Sequence, residues 1–232
     1  MSNTQFLDQD PFALNQHATN KHSRRRFLGY AGAAAGIAVL ASSCDKDDDN
    51  NMDDAVDVGS GDTGVLNYAY ALEQLEAAFY TQVAASASFG TIFNAGEQAL
   101  LKDIRDHEIA HREFFKAALS TSAIASLEVN FSAVNFSSRA SILATAKAFE
   151  DLGVSAYNGA GNILTNGDFL VLAGKIVSVE ARHAAYIRDL ITNGTFADST
   201  DANGMDMAMA PKEVVAIANA YLKTKVSANN LA

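Results

Sequence analysis

Glu180 and His183 are three residues apart, as are Glu108 and His111. At that spacing on an α-helix the two side chains leave nearly the same face, so a carboxylate oxygen and an imidazole nitrogen can converge on one cation. Each pair is preceded by a single glutamate inside another apolar, helix-periodic stretch, Glu73 before the first and Glu150 before the second. The order is therefore Glu, Glu-x-x-His, Glu, Glu-x-x-His, with one element per helix. A lone Glu-x-x-His is more often a surface ion pair than a ligand pair. Here Leu100, Ile104, Phe115, Ile176 and Ile187 lie at helical spacing from the motifs and mark their faces as inward. Four carboxylates buried in an apolar bundle repel one another, and either protonate or unfold it unless cations neutralise them. Two divalent ions would do so. Three histidines follow residue 44, and two of them stand in the repeated motif; the third, His107, reads as a neighbour of the site or a surface residue.

The repeat extends to two tyrosines. Tyr80 follows Glu73 by seven residues and Tyr157 follows Glu150 by seven, so each lies on its glutamate's face about two turns along. Both are candidate catalytic residues, placed to hydrogen-bond the opposite ligand pair or to act as redox-active neighbours. The plainer reading is a buried tyrosine with a satisfied hydroxyl. Glu76, three residues after Glu73, could share the site, but its position reads better as a solvated flank.

The elements that must position these groups follow from periodicity. A first helix starts with Asp62 or Thr63 as N-cap and carries Leu66, Ala69, Tyr70, Glu73, Ala77 and Tyr80 on one face. A second spans about 97–118, with Leu100, Ile104, Glu108, His111 and Phe115 in one stripe. Residues 120–137 form a long connection. Ser137 or Ser138 caps a third helix through Leu143, Ala146, Glu150, Val154 and Tyr157, and Asp168 caps a fourth through Leu172, Ile176, Glu180, His183 and Ile187. Pro211 opens a short fifth helix over 211–223. No proline interrupts the stretch between Pro11 and Pro211, and no strand pattern of convincing length competes. The fold class is all-α: a four-helix bundle over 63–192 with a long crossover between helices 2 and 3, then a loop and C-terminal helix over 193–232.

The chain has 232 residues, 49% of them apolar, and a formal charge of −10. Without residues 1–43, which carry four basic and two acidic side chains, the charge is −12. That argues against a nucleic-acid partner, which needs clustered Lys and Arg. Residues 1–44 read as targeting sequence: Ser23-Arg24-Arg25-Arg26-Phe27-Leu28, an apolar run from Gly29 to Ala41 too short to span a bilayer, then Ser42-Ser43-Cys44. The first part resembles the twin-arginine export signal, and Leu40-Ala41-Ser42-Ser43-Cys44 resembles a lipobox. Cys44, the only cysteine, would carry lipid and tie the protein to the membrane. The acidic run Asp45-Lys46-Asp47-Asp48-Asp49 resembles a surface-export tag of some Gram-negative lipoproteins, and residues 45–62 read as a disordered tether. The expected location is the cell envelope, facing the periplasm or the surface.

Helix by helix, residues 63–192 resemble the ferritin-like superfamily. Phe149-Glu150-Asp151-Leu152-Gly153-Val154-Ser155-Ala156-Tyr157-Asn158-Gly159-Ala160 and Val179-Glu180-Ala181-Arg182-His183-Ala184-Ala185-Tyr186-Ile187-Arg188 look like the ferritin-like-domain family that includes desiccation-related proteins. The resemblance implies that Glu73, Glu108 and His111 bind one metal and Glu150, Glu180 and His183 the other, with Glu108 and Glu180 bridging, and that the cofactor is two Fe or Mn ions per chain. Relatives of this architecture oxidise Fe(II), reduce peroxide or dismutate it, so O2 or peroxide is the expected small-molecule partner. Manganese catalases fit less well, having lost the glutamate of the final pair. Rubrerythrins match the ligand order but carry a cysteine-ligated domain with no counterpart here, so an external electron donor would be required. The alternative is a non-catalytic, stress-associated structural or binding module. Either form is compatible with a homodimer.

Overall fold

A computed structural model of the protein describes residues 55–231. Four long helices dominate it: α1 (Gly61–Ala85), α2 (Ala95–Leu119), α3 (Arg139–Ala160) and α4 (Gly167–Ile191). A short α5 (Pro211–Ala218) follows. The chain is all-α in architecture, as expected. No helix among the described residues is long and apolar enough to cross a membrane.

Helix direction can be read from the polar contacts at the two ends. Near the start of α1, Asn67 donates to the Ser122 carbonyl at 3.0 Å and accepts from the Ile124 N–H at 3.0 Å. Further along α1, Gln74 accepts from the Leu127 N–H at 2.9 Å, Phe79 meets Phe131 edge-on, and Ser86 donates to the Phe136 carbonyl at 2.9 Å. The connection over 120–138 thus runs the length of α1, roughly 30 Å at 1.5 Å per helical residue. It is the expected crossover, and it makes α2 and α3 start at the same end. There Arg139, at the start of α3, bonds Glu97 at the start of α2 (2.6 Å) and the Leu190 carbonyl at the end of α4 (3.1 Å). The crossover also buries the face of α1 that the other helices leave open, so α1 is buried nearly all round from Gly64 to Tyr80. Phe79 sits at the centre of that contact, among Phe131, Phe136 and Phe149.

Several boundaries differ from expectation, each for a local reason. Ser60, not Asp62 or Thr63, is the N-cap of α1. Asp62 accepts instead from the backbone N–H groups of Thr165 and Asn166 (2.7 and 3.0 Å), tying the α3–α4 turn to the start of α1. Asn166 rather than Asp168 caps α4. Ser138 caps α3, and Asn94 with Glu97 forms a reciprocal capping box on α2. Leu100 is 43% exposed whereas Leu101 is 1% exposed. Steps of four residues drift by about 40° around a helix, so two steps back from Glu108 leave the inward face. The fifth helix ends at Ala218 and passes through a turn at Asn219–Tyr221, because the Asn219 side chain bonds the backbone of Val226 on both sides at 2.9 Å. This holds β2 (Val226–Ser227) parallel to β1 (Val56–Asp57). The end of the expected tether is therefore ordered structure, with Val58 in the core. The rest of the tether, the twin-arginine-like run and Cys44 lie outside the described residues.

The loop over 193–210 is fastened to α3 by bonds from Met209 N–H to the Ser155 carbonyl and from Asn158 to the Met207 carbonyl, both 3.0 Å. Gly159 permits this approach: a Cβ there would stand 1.8 Å from the Met209 carbonyl oxygen. Gly159→Ala is expected to destabilise the fold by about 1–3 kcal/mol, the usual range for forced overpacking, read as a lowered midpoint in denaturant melts with helix content retained.

Candidate metal centre

All six predicted ligand residues meet in the middle of the bundle. Glu73 comes from α1, Glu108 and His111 from α2, Glu150 from α3, and Glu180 and His183 from α4. The four carboxylates are fully buried and His183 nearly so. Their ligand atoms form two clusters compact enough to hold an ion each: Glu73, Glu108, His111 and Glu180; and Glu108, Glu150, Glu180 and His183.

The distances distinguish two kinds of carboxylate. His111 Nδ1 lies 3.4 Å from Glu73 Oε2, 3.6 Å from Glu108 Oε2 and 3.0 Å from Glu180 Oε1. His183 Nδ1 lies 3.4 Å from Glu150 Oε2, 2.8 Å from Glu108 Oε1 and 3.7 Å from Glu180 Oε2. Glu108 and Glu180 thus present one oxygen to each histidine, whereas Glu73 and Glu150 each serve one. The second oxygen of each terminal glutamate is occupied. Tyr80 donates to Glu150 Oε1 at 2.5 Å, and Tyr157 donates to Glu73 Oε1. Each tyrosine therefore bonds the glutamate of the opposite helix, and burial raises both phenols well above their ordinary pKa, keeping them donors. Behind His183, His107 Nδ1 lies 2.9 Å from His183 Nε2, with the rings stacked. His107 is exposed and orients the imidazole from outside, the neighbour's place expected for it.

The clustered side chains shift one another's protonation. Burial disfavours charge on both histidines, but the facing carboxylates outweigh it and push His111 and His183 up to about 12. Glu150 is pushed up to about 8, by burial above all, and Glu73 is raised well above the usual carboxylate range for the same reason. Glu108 goes the other way, to about 2: its contacts to both histidines overcome its burial. The residues present fit metal binding. Among the described residues, ten buried side-chain N or O atoms lack an aligned hydrogen-bond partner, and eight of them belong to these six residues and face inward. They are the Oε2 atoms of Glu73 and Glu150, both oxygens of Glu108 and Glu180, and the two Nδ1 atoms. Buried polar atoms are normally satisfied, so such a concentration points to an ion-binding cavity. The carboxylate and imidazole set suits Fe or Mn.

Glu76 corrects the sequence reading. It is 4% exposed, not a solvated flank, and burial followed by the nearby Glu108 and Glu180 raises its carboxyl well above the usual range. Its flank of α1 is covered by α3 at Gly153, a contact that helical periodicity within α1 does not disclose. The signal available was the internal repeat, which sets Gly153 at the position matching Glu76.

The family model for the ferritin-like domain matches residues 61–193, from the first residue of α1 to two residues beyond α4. Comparison with curated proteins gives no match.

Proposed function

Because the chain belongs to the ferritin-like domain family, we propose that its bundle holds a dinuclear Fe or Mn centre that reacts with O2 or peroxide and protects the cell envelope from oxidants or free iron. The observation that carries this reading is the set of eight inward-facing buried atoms without aligned partners. Glu73 and Glu150 would each hold one ion, His111 and His183 one each, and Glu108 and Glu180 would span both. When bound, the metals supply Lewis acidity and electrons. The protein's own contribution is to hold the ligands on four rigid helices, to keep Tyr80 and Tyr157 donating to the terminal carboxylates, and to exclude water. An apolar cavity of about 50 Å³, lined by Leu66, Ala69, Phe115, Tyr157, Leu164 and Phe169, adjoins Tyr157. Dioxygen gives up no hydrogen bond on entering such a space, so the cavity favours it over peroxide on that side.

Export is part of the proposal and rests on Ser23 to Leu28 and Leu40 to Cys44. A twin-arginine route carries folded protein, which would let the metal be chosen before export. The protein would then sit in the envelope, lipid-anchored through Cys44, with an external reductant for turnover.

The test is consumption of O2 and of H2O2 by the Fe- and Mn-loaded protein, with His183→Ala as control. Rates about tenfold or more above the control are expected with one metal and one oxidant. Metal binding without turnover with either oxidant would favour a non-catalytic, stress-associated module.

A further inference from the structure

Met205, Met207 and Met209 stand at alternate positions of one short stretch, and the chain's other methionines, Met1 and Met52, lie outside the described residues. On an extended backbone that spacing puts all three side chains on one side. The backbone there is extended. The Met207 carbonyl accepts from Asn158 and the Met209 N–H donates to the Ser155 carbonyl, both at 3.0 Å, so a carbonyl and the amide two residues on face the same helix, as along one edge of a strand. Asp206 forms a bridge with Thr200 ahead of them. Exposure alternates in step: the three methionines are half-buried, whereas Gly204, Asp206 and Ala210 are exposed.

Met207 and Met209 line a cavity of about 510 Å³ between this segment and the seam of α3 and α4. Val154, Ala181 and Ala184 line it from the helices, and their small side chains leave the thioethers beside open space. Methionine is ordinarily a filler of cores, yet no methionine stands among the buried core side chains of the described residues. All three are gathered here instead. The surroundings favour a cation. Asp151 and Asp206 line the cavity, and its one basic lining residue, Arg188, is paired with Asp151 and Asp198.

We infer that Met207 and Met209, with Met205 as a third donor, form a site for a soft monovalent cation, Cu(I) or its analogue Ag(I). Thioether sulfur is a soft, uncharged donor and selects such ions over the harder divalent ions that suit carboxylate and imidazole. Two residues of extended chain separate neighbouring methionines by about 7 Å, a gap that the three rotatable bonds of each side chain can close onto one ion. The backbone stays fixed meanwhile, held to α3 by Ser155 and Asn158 and seated on Gly159. This site is separate from the carboxylate centre: Ala181 and Ala184 face the cavity, whereas Glu180 and His183 on the same helix join the ligand clusters.

Anaerobic titration of the whole chain with Cu(I) against bicinchoninate, a chromophoric chelator, tests this. The chain carries Cys44→Ser, so that no thiol competes. Spectra of ¹³C-methyl-labelled methionine report which sulfurs are engaged. One Cu(I) should be held with the methyl signals of Met207 and Met209 displaced and those of Met1 and Met52 unmoved. A Met207→Leu, Met209→Leu double variant, which conserves volume and removes both sulfurs, should bind this ion more weakly by about tenfold or more, since losing even a group that supports a ligand costs that much. Circular dichroism checks that the variant keeps its helices. Cu(I) uptake with the Met207 and Met209 methyls unmoved would place the ion on the histidines and overturn the inference. So would a folded double variant that binds as tightly as its parent, or a parent that takes no Cu(I) from the chelator. None of these results bears on the dinuclear reading, which Fe and Mn content decides.

Discussion

Glu180→Ala is expected to leave both metal positions nearly empty after loading and desalting, whereas Glu73→Ala should lower the content from about two ions per chain to about one. The difference follows from oxygens, not from burial, since both residues are fully buried. Glu180 offers Oε1 on the His111 side and Oε2 on the His183 side, and neither oxygen has another aligned partner. Removing it takes a donor from each ion and the negative charge that lets two cations sit together. Glu73 offers only Oε2, its other oxygen being held by Tyr157. Elemental analysis of wild type, Glu73→Ala, Glu180→Ala and Glu108→Ala decides the matter, with Glu108→Ala grouping with Glu180→Ala. Equal metal in Glu73→Ala and Glu180→Ala would contradict the terminal and bridging assignment even if the protein binds metal. His107→Ala, which changes only the group behind His183, serves as the control for a substitution close to the site but outside it.

What the sequence discloses about such a centre depends on which side of a helix is being read. Glu108 and Glu180 interrupt apolar stripes on helices whose other faces are polar, so a helical period isolates them without any knowledge of the partners. The same period places Glu73 and Glu150, because each falls on one line with a tyrosine. It fails for Glu76. Helix α1 is apolar on nearly every side, and whether its flank is wet depends on α3 and the crossover packing onto it. It fails in the same way for Leu100, where drift around the helix, not residue type, decides the exposure. The end of the tether could not be read locally either: Val56 and Asp57 acquire order from Val226 and Ser227, which are 170 residues away in the chain. Local chemistry set the ligands and the caps at Asn94 and Ser138; contacts remote in sequence set the rest.

Stripped of metal, the protein is expected to lose thermal stability as pH rises from about 6 to about 8, and metal loading should abolish or reverse that trend. The sign follows group by group. His111 and His183 are raised from 6.5 to about 12 in the fold, so their stabilising contribution is complete below 6.5 and is lost as pH climbs toward 12. Glu150, raised from 4.5 to about 8, holds a proton in the fold that the unfolded chain releases, and its contribution is lost between those values. Glu73 is shifted the same way. Glu108, lowered to about 2, has the opposite sign, but its contribution is lost only as pH falls from 4.5 toward 2, below the range in question. Each proton held in excess by the folded form changes stability by about 1.4 kcal/mol per pH unit. Each such proton over two pH units is therefore worth about 3 kcal/mol, or a Tm lower by roughly 5–10 °C per proton in a domain of this size. Divalent ions displace those protons, so their apparent affinity rises with pH. Their stabilisation, about 4 kcal/mol at a thousandfold excess over Kd, grows over the range in which the metal-free protein weakens. Calorimetric melts of chelator-treated and Mn-loaded protein across this pH range should therefore diverge as pH rises. Parallel profiles would mean that the protons and the metal do not compete for the same atoms, which would contradict His111 Nδ1 and His183 Nδ1 as donors. A His111→Gln, His183→Gln double variant separates the two contributions: with the imidazoles gone it should melt independently of added Mn, and keep only the part of the pH slope that Glu73 and Glu150 supply.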